Sequence, residues 1–252
     1  MRLALYGLIG YPLGHSFSVP FFTRKFKEEN IHSEYRNFPL KEISEFEKLV
    51  KAEPQLAGLN VTVPYKQKII PYLDALSKTA RIIQAVNTIC FCRQEGRLAL
   101  IGHNTDVMGF DRSLNEHIKK QHTSALVLGT GGSSKAVTFV LEQMGIQFQM
   151  VSRASGEGRI SYEELEEGLV EESRLIINTT PLGMYPDVEA FPTIPYGAIT
   201  ADHLLIDLIY NPKKTRFLAM GEERGAAIVN GYNMLVYQAE GSWDRWNRKG
   251  KE

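Results

Sequence analysis

Cysteine is almost missing from this chain of 252 residues: Cys90 and Cys92 are the only two. They stand two apart in the apolar run "NTICFCR", so on a strand both point to one face, where a disulfide between them would be strained. No further cysteine supports a metal site, and reduced thiols in the cytoplasm are the expectation. An excess of either charge is missing too. Lys plus Arg and Asp plus Glu each number 29, so no net field draws the chain to nucleic acid or to an anionic membrane. An anionic ligand must then be held by local groups. No apolar run reaches membrane-spanning length. Arg2 and "LALYGLIG" have the outline of a secretory leader, but no small-residue cleavage site follows, and the run reads as a first strand. What remains is an ordinary globular composition, 43% hydrophobic and 23% charged, with length for one large or two modest domains.

The first hundred residues alternate short apolar runs with amphipathic segments. The pattern predicts strands over 3–9, 34–38, 58–63, 87–92 and 98–101, and helices over 20–29, 41–52, 64–73 and 77–84. "RQEGR" joins the last two strands as a hairpin with Gly96 at its turn, which predicts a mixed sheet. From Ser124 the rhythm changes. "SALVLGTGGSSKAVTFVLEQMG" reads strand, glycine turn, helix. "FQMVSR", "RLIINTT", "HLLIDLI" and "AAIV" follow as strands, with helices through "YEELEEGLV" and "KKTRFLAMGEERG" between them. That repetition predicts a doubly wound parallel sheet. A helix from Asp106 to about Lys119 joins the two halves, and "NMLVYQAEGSWDRWN" forms the last helix, folding back on the first domain.

Gly129, Gly131 and Gly132 in "VLGTGGSSKAV" follow a strand and open a helix. Gly129 permits the tight turn and Gly131 lets the backbone approach a pyrophosphate, while the helix N-terminus offers free N–H groups to its charge. Ser134, small but not glycine, takes the third position of the fingerprint. An NAD site would place an acid at the end of the next strand, some 20 residues on. That strand ends in Ser152 and Arg153, which suits the 2′-phosphate of NADP; a solvated surface arginine is the competing reading.

Lys66 in "GLNVTVPYKQKII" falls in the first turn of the helix expected from Pro64, where the partial positive charge of the helix end favours its neutral form and so proton transfer. Lysines that snorkel to solvent look the same. Asp106, at the end of "GHNTD", fits an N-cap, and equally a carboxylate that holds Lys66. Ser16 and Ser18, in "GYPLGHSFS", flank a phenylalanine beside a glycine-proline turn; capping a helix near Pro20 accounts for one of them.

Together these motifs, with "AVNTI", "INTTPLGMYP", "DLIYNP" and "NGYNMLVYQA", resemble the shikimate dehydrogenase family in number, order and spacing from Gly10 to Gln238. The resemblance implies an N-terminal mixed-sheet substrate domain and a Rossmann-like doubly wound NADP domain with a cleft between them. The substrate domain would span 1–105, completed by a closing helix over 232–252, and the NADP domain 106–231. It implies NADPH-dependent reduction of 3-dehydroshikimate to shikimate. Ser16 and Ser18 would bind the substrate carboxylate, Thr62 and Asn87 the ring hydroxyls, with Tyr210 and Gln238 completing the pocket. Lys66 would be the acid/base and Asp106 its partner. Gly129, Thr130, Gly131, Gly132, Ser133, Ser152, Arg153, Leu208 and Gly231 would line the cofactor, with Thr179 to Met184 nearby. Here Val19 intervenes between the serine motif and Pro20, and Ala154 stands where many members carry a threonine. The implied partner is a small molecule, with no nucleic acid or membrane, on a monomer or homodimer. A quinate/shikimate dehydrogenase shares most of these motifs. A non-catalytic shikimate sensor would lack Lys66 or Asp106, and both are present.

Overall fold

In "ALYGLIG" nearly every residue is buried, the mark of a strand covered on both faces. This is β1 (Ala4–Gly10), and around it the first unit is built. The structure, a computed structural model, describes residues 3–14 and 16–247; His15 and residues 248–252 of the expected closing segment lie outside them. After β1 come α1 (Ser18–Glu28), β2 (Ser33–Pro39), α2 (Phe46–Ala52), β3 (Leu56–Val61), β4 (Ala75–Leu76), α3 (Lys78–Ile83), β5 (Thr88–Gln94) and β6 (Arg97–His103). They form a six-stranded sheet ordered β2-β1-β3-β5-β6-β4. β1 pairs in parallel with β2 and β3, whereas β5 runs antiparallel to β3 and β6, so the sheet is mixed. Between β5 and β6, Glu95 and Gly96 both have positive φ (49° and 77°), the two-residue turn whose twist suits a hairpin.

The second unit follows with α4 (Asp106–Asn115), β7 (Ser124–Leu128), α5 (Gly132–Gln143), β8 (Gln147–Ser152), β9 (Arg159–Ser161), α6 (Glu167–Glu172), β10 (Leu175–Asn178), β11 (Leu204–Asp207), α7 (Arg216–Glu222), β12 (Ala227–Val229) and α8 (Tyr232–Asn247). All its strand pairs are parallel, in the order β12-β11-β10-β7-β8-β9. Counted from β7 as the first strand, this is the 3-2-1-4-5-6 order of a Rossmann-like sheet. Its core is aliphatic on both faces, with Leu126, Ile176 and Leu205 on one and Val127, Ile177 and Ile206 on the other.

Two compact units result: residues 1–105 with 238–252, and 106–237. The division falls within α8, so the second unit runs to Tyr237 rather than to residue 231. In the first unit the C-terminal part of α8 packs Ala239, Trp243 and Trp246 against Tyr6, Phe22, Phe26 and Tyr35.

Several expected elements differ. The helix expected over 64–73 does not form. Its residues make successive turns, with Tyr65 N–H bonded to the Thr62 carbonyl, and end in a short 3-10 turn at Ile70–Tyr72. Pro71 has no N–H to give to the carbonyl of Gln67, and Ile70 takes it instead. The helix expected over 41–52 splits into a 3-10 turn at Ile43–Glu45 and α2. α6 starts five residues later than "YEELEEGLV", and the short strands β4 and β9 were not expected.

Candidate functional site

One edge of the first sheet collects the residues with chemical potential. β1 and β3 are parallel, so their C-terminal ends lie together. β5 is antiparallel to β3 and β6 to β5, which brings the start of β5 and the end of β6 to that same edge. Ser16 and Ser18 follow β1, Thr62 and Lys66 follow β3, Asn87 precedes β5, and Thr105 follows β6. The approach is close: a Cβ on Gly10 would lie 2.5 Å from Cγ2 of Thr62. The carbonyl of Lys66 accepts the N–H of Val86 at 2.7 Å, which ties the lysine's turn to the segment carrying Asn87. Lys66 therefore sits in a turn, half-buried, and not at a helix start as its spacing suggested.

The serine pair also departs from simple capping. α1 begins at Ser18, its N-cap is Phe17, and that residue makes no side-chain cap bond. Ser16 Oγ accepts the N–H of Ser18 at 3.2 Å, which leaves the Ser16 hydroxyl hydrogen to another acceptor. Ser18 is buried, beside the Tyr35 hydroxyl, whose pKa burial raises above the usual phenol value.

Asn87 and Gln238 meet directly: Nδ2 of Asn87 donates to Oε1 of Gln238 at 3.1 Å. Behind them lies a buried polar chain that sequence reasoning did not find. The Tyr35 hydroxyl donates to Oδ1 of Asn60 at 2.8 Å, and Nδ2 of Asn60 donates to Ser242 at 2.8 Å. Ser242 lies 2.8 Å from Oγ1 of Thr88, and the N–H of Thr105 donates to Oδ1 of Asn87 at 2.7 Å. These partners are distant in sequence, and no periodicity marks them.

In the second unit the expected cofactor residues gather at the C-terminal ends of the parallel strands, where ligands of such sheets bind. Gly129, Thr130, Gly131, Gly132 and Ser133 follow β7, Ser152 ends β8 and Arg153 follows it, Leu208 follows β11 and Gly231 follows β12. Gly129 has φ +106°, and a Cβ on it would lie 2.7 Å from Oγ1 of Thr179. Space around Gly131 is open, and no side chain caps α5. Ser134, at the third fingerprint position, donates to the Gly131 carbonyl at 2.7 Å and so closes the turn from within. Arg153 is exposed and makes no ion pair among the described residues. A glycine cradle, an uncapped helix start and a free guanidinium at the end of the second strand fit a phosphorylated dinucleotide. Below this edge Asp207 is fully buried, held by Thr215, Ile209 N–H and Asn178, and burial pushes its pKa up to about 6. Tyr210 lies two residues past Leu208 and is half-buried; burial raises its pKa. Asp106, buried, opens α4 and belongs to the second unit, Lys66 to the first. Among the described residues no helix is long and apolar enough to cross a membrane, and no cluster of metal-ligating side chains occurs.

The fold is thus that of a two-unit α/β protein, with a mixed sheet in one unit and a Rossmann-like sheet in the other. A family model described as the shikimate dehydrogenase substrate binding domain matches residues 8–89. A shikimate dehydrogenase (NADP(+)) of Carboxydothermus hydrogenoformans is 38% identical, with 96% of this chain and 91% of that protein aligned. Among solved structures, shikimate dehydrogenase from Aquifex aeolicus superimposes with TM-score 0.86 at 32% identity, covering 97% of this chain and 92% of the other. The shikimate 5-dehydrogenase of Thermus thermophilus, solved with NADP(H) and shikimate, gives 0.85 at 27% identity, covering 97% and 94%. This chain belongs to the shikimate dehydrogenase family.

Proposed function

We propose that this chain interconverts 3-dehydroshikimate and shikimate with NADP(H), a step in aromatic amino-acid biosynthesis. One observation carries the reading: the edge of the first sheet assembles Ser16, Ser18, Thr62, Asn87 and Gln238, all but Tyr210 of the residues the family resemblance assigns to substrate, with the implied acid/base Lys66, within a single unit. The compartment in this reading is the cytoplasm and the partner is the small-molecule substrate.

In this reading the hydroxyls of Ser16 and Ser18 bind the substrate carboxylate, which neutral donors satisfy without a buried counter-charge. Thr62, Asn87, Gln238 and Tyr210 hold the ring. Lys66 gives its proton to the C3 oxygen as negative charge develops there, and in the reverse direction takes the proton from the hydroxyl. Asp106 is the second catalytic group. Gly129 to Ser133 and the start of α5 would hold the pyrophosphate of NADP, Ser152 and Arg153 its 2′-phosphate, and Leu208 and Gly231 would line the cofactor. When bound, the nicotinamide supplies or accepts the hydride.

A spectrophotometric assay with shikimate and with quinate, each against NADP and NAD, tests the reading. The expected result is highest specificity for shikimate with NADP. Absence of shikimate oxidation by the folded protein overturns it.

A further inference from the structure

We infer that Ser242 is a positioning residue for the substrate-binding amides: it anchors the hydroxyls that hold Asn87 in the one orientation presenting the Gln238 amide nitrogen to substrate. The inference rests on the proposed function and deepens its substrate site.

The orientation of Asn87 follows from a backbone hydrogen that cannot be reassigned. Thr105 N–H donates to one side-chain atom of Asn87 at 2.7 Å, so that atom is Oδ1. The amide nitrogen of Asn87 then faces Oγ1 of Thr105 at 3.0 Å and Gln238 at 3.1 Å. A Gln238 amide turned over would set two NH2 groups against each other. Its oxygen therefore faces Asn87, and its nitrogen is left to a ligand acceptor, such as a ring hydroxyl oxygen. This makes Gln238 a donor site.

Ser242 holds the far side of this arrangement. It lies one turn beyond Gln238 on α8, wholly buried, and donates to the Gln238 carbonyl at 3.0 Å. Its two lone pairs are then open to Nδ2 of Asn60 and the Thr88 hydroxyl, both at 2.8 Å, with the Thr105 hydroxyl next nearest at 3.2 Å. Each of those two threonine hydroxyls has a single hydrogen, shared between Ser242 and Oδ1 of Asn87, which they reach at 3.1 Å and 3.2 Å. Thr88, Thr105, Asn60 and Asn87 are each at most 5% exposed, so water has little access to replace a missing partner. Removing the Ser242 hydroxyl leaves Nδ2 of Asn60 with only its longer bonds to the Asn87 backbone carbonyl at 3.2 Å and to Thr88 at 3.3 Å, and turns the threonine hydroxyl hydrogens onto Oδ1 of Asn87. Asn87 and Gln238 then lose their fixed alignment.

The test compares wild type with Ser242→Ala and with Thr88→Val, which keeps side-chain volume and removes one arm of the same network. Shikimate affinity is measured by calorimetric titration without cofactor, together with kcat, both KM values and the melting temperature. The expected result for Ser242→Ala is a loss of shikimate affinity of about tenfold. The KM for shikimate rises in step, while the KM for NADP stays at the wild-type value. Thr88→Val shows the same pattern with smaller size. A lower melting temperature with unchanged shikimate affinity would show a structural role only and overturn the inference. If Ser242→Ala does not fold, Thr88→Val decides by the same readouts. A wild-type chain that neither binds nor oxidises shikimate overturns the functional reading and this inference together. Wild-type activity with unaltered affinity in the variants overturns the inference alone.

Discussion

Gly231 approaches the backbone of Leu208 so closely that a methyl on it would lie 2.1 Å from the Leu208 carbonyl oxygen. The Gly231 N–H also donates to the Ile209 carbonyl at 3.0 Å, so the entry to α8 is fastened to the exit of β11. Only glycine fits without moving one of the two. We expect Gly231→Ala to lower stability by about 1–3 kcal/mol, the usual cost of overpacking. Because Leu208 and Gly231 are proposed to flank the cofactor, NADP affinity should fall more than shikimate affinity. Thermal melting and separate titrations of the two ligands check this.

Lys66 is held by its own backbone, through the Val86 N–H, at the edge that carries Asn87. Lys66→Met keeps the stem and removes the proton donor. Turnover should fall by about 10²–10⁴, the typical worth of a positioned acid/base. Shikimate affinity and melting temperature should change little. Turnover near the wild-type rate in a folded variant removes Lys66 from the chemistry.

Arg153 is exposed just past the end of β8, with Ala154 beyond it in place of a hydroxyl-bearing residue. Arg153→Ala should cost NADP about 1.5–3 kcal/mol, the worth of a hydrogen bond to a charged group. NAD brings no phosphate to that place and should be nearly unaffected. Equal losses for both cofactors, read as kcat/KM, would show the arginine to be structural.

Two buried groups in the second unit give stability opposite slopes with pH. The Nδ1 of His122 accepts the Lys119 N–H at 3.0 Å, and burial foremost holds its pKa below the usual 6.5. The folded state takes up the proton less readily than the unfolded one, so this contribution is present above about 6.5 and lost as pH falls below it. Asp207 behaves in reverse: its pKa is pushed from 3.8 to about 6, so its contribution is full below 3.8 and lost as pH rises through about 6. Asp207→Asn should therefore raise stability at neutral pH relative to wild type, by at most about 3 kcal/mol. His122→Asn should flatten the acid limb. Denaturant unfolding between about pH 5 and about pH 8 reads both slopes.

Much of this arrangement is legible in the sequence, for definite reasons. "VLGTGGSSKAV" is read correctly because turn, open approach and helix start all lie within a few residues. The tight turn at Gly129 shows in its φ of +106° and in what a side chain would strike there. Proximity along the chain does not always suffice. Pro64 looks like a helix start, yet Pro71 seven residues on leaves no room for regular helix, and Lys66 ends in a turn. Ser161 and Glu164 form the reciprocal bonds of a capping box, but α6 begins only at Glu167. The network behind Asn87 is illegible for another reason. Asn60 and Ser242 are separated by 182 residues, and a serine within a helix carries no periodic signal of its own.

The two compact units also imply an order of completion during synthesis. Residues 106–237 form one continuous stretch and hold every strand of the second sheet, so that unit is whole as soon as Tyr237 has been made. The first unit must wait. Its aromatic core places Trp246 4.8 Å from Tyr6 between ring centres, and Gly58 lacks a side chain where the Trp246 indole lies. Until the ribosome reaches Trp246, a nascent chain already carrying the whole mixed sheet leaves Tyr6, Phe22 and Phe26 without their covering indoles. The first strand and helix of that unit are thus sealed by residues made after the whole of the second unit.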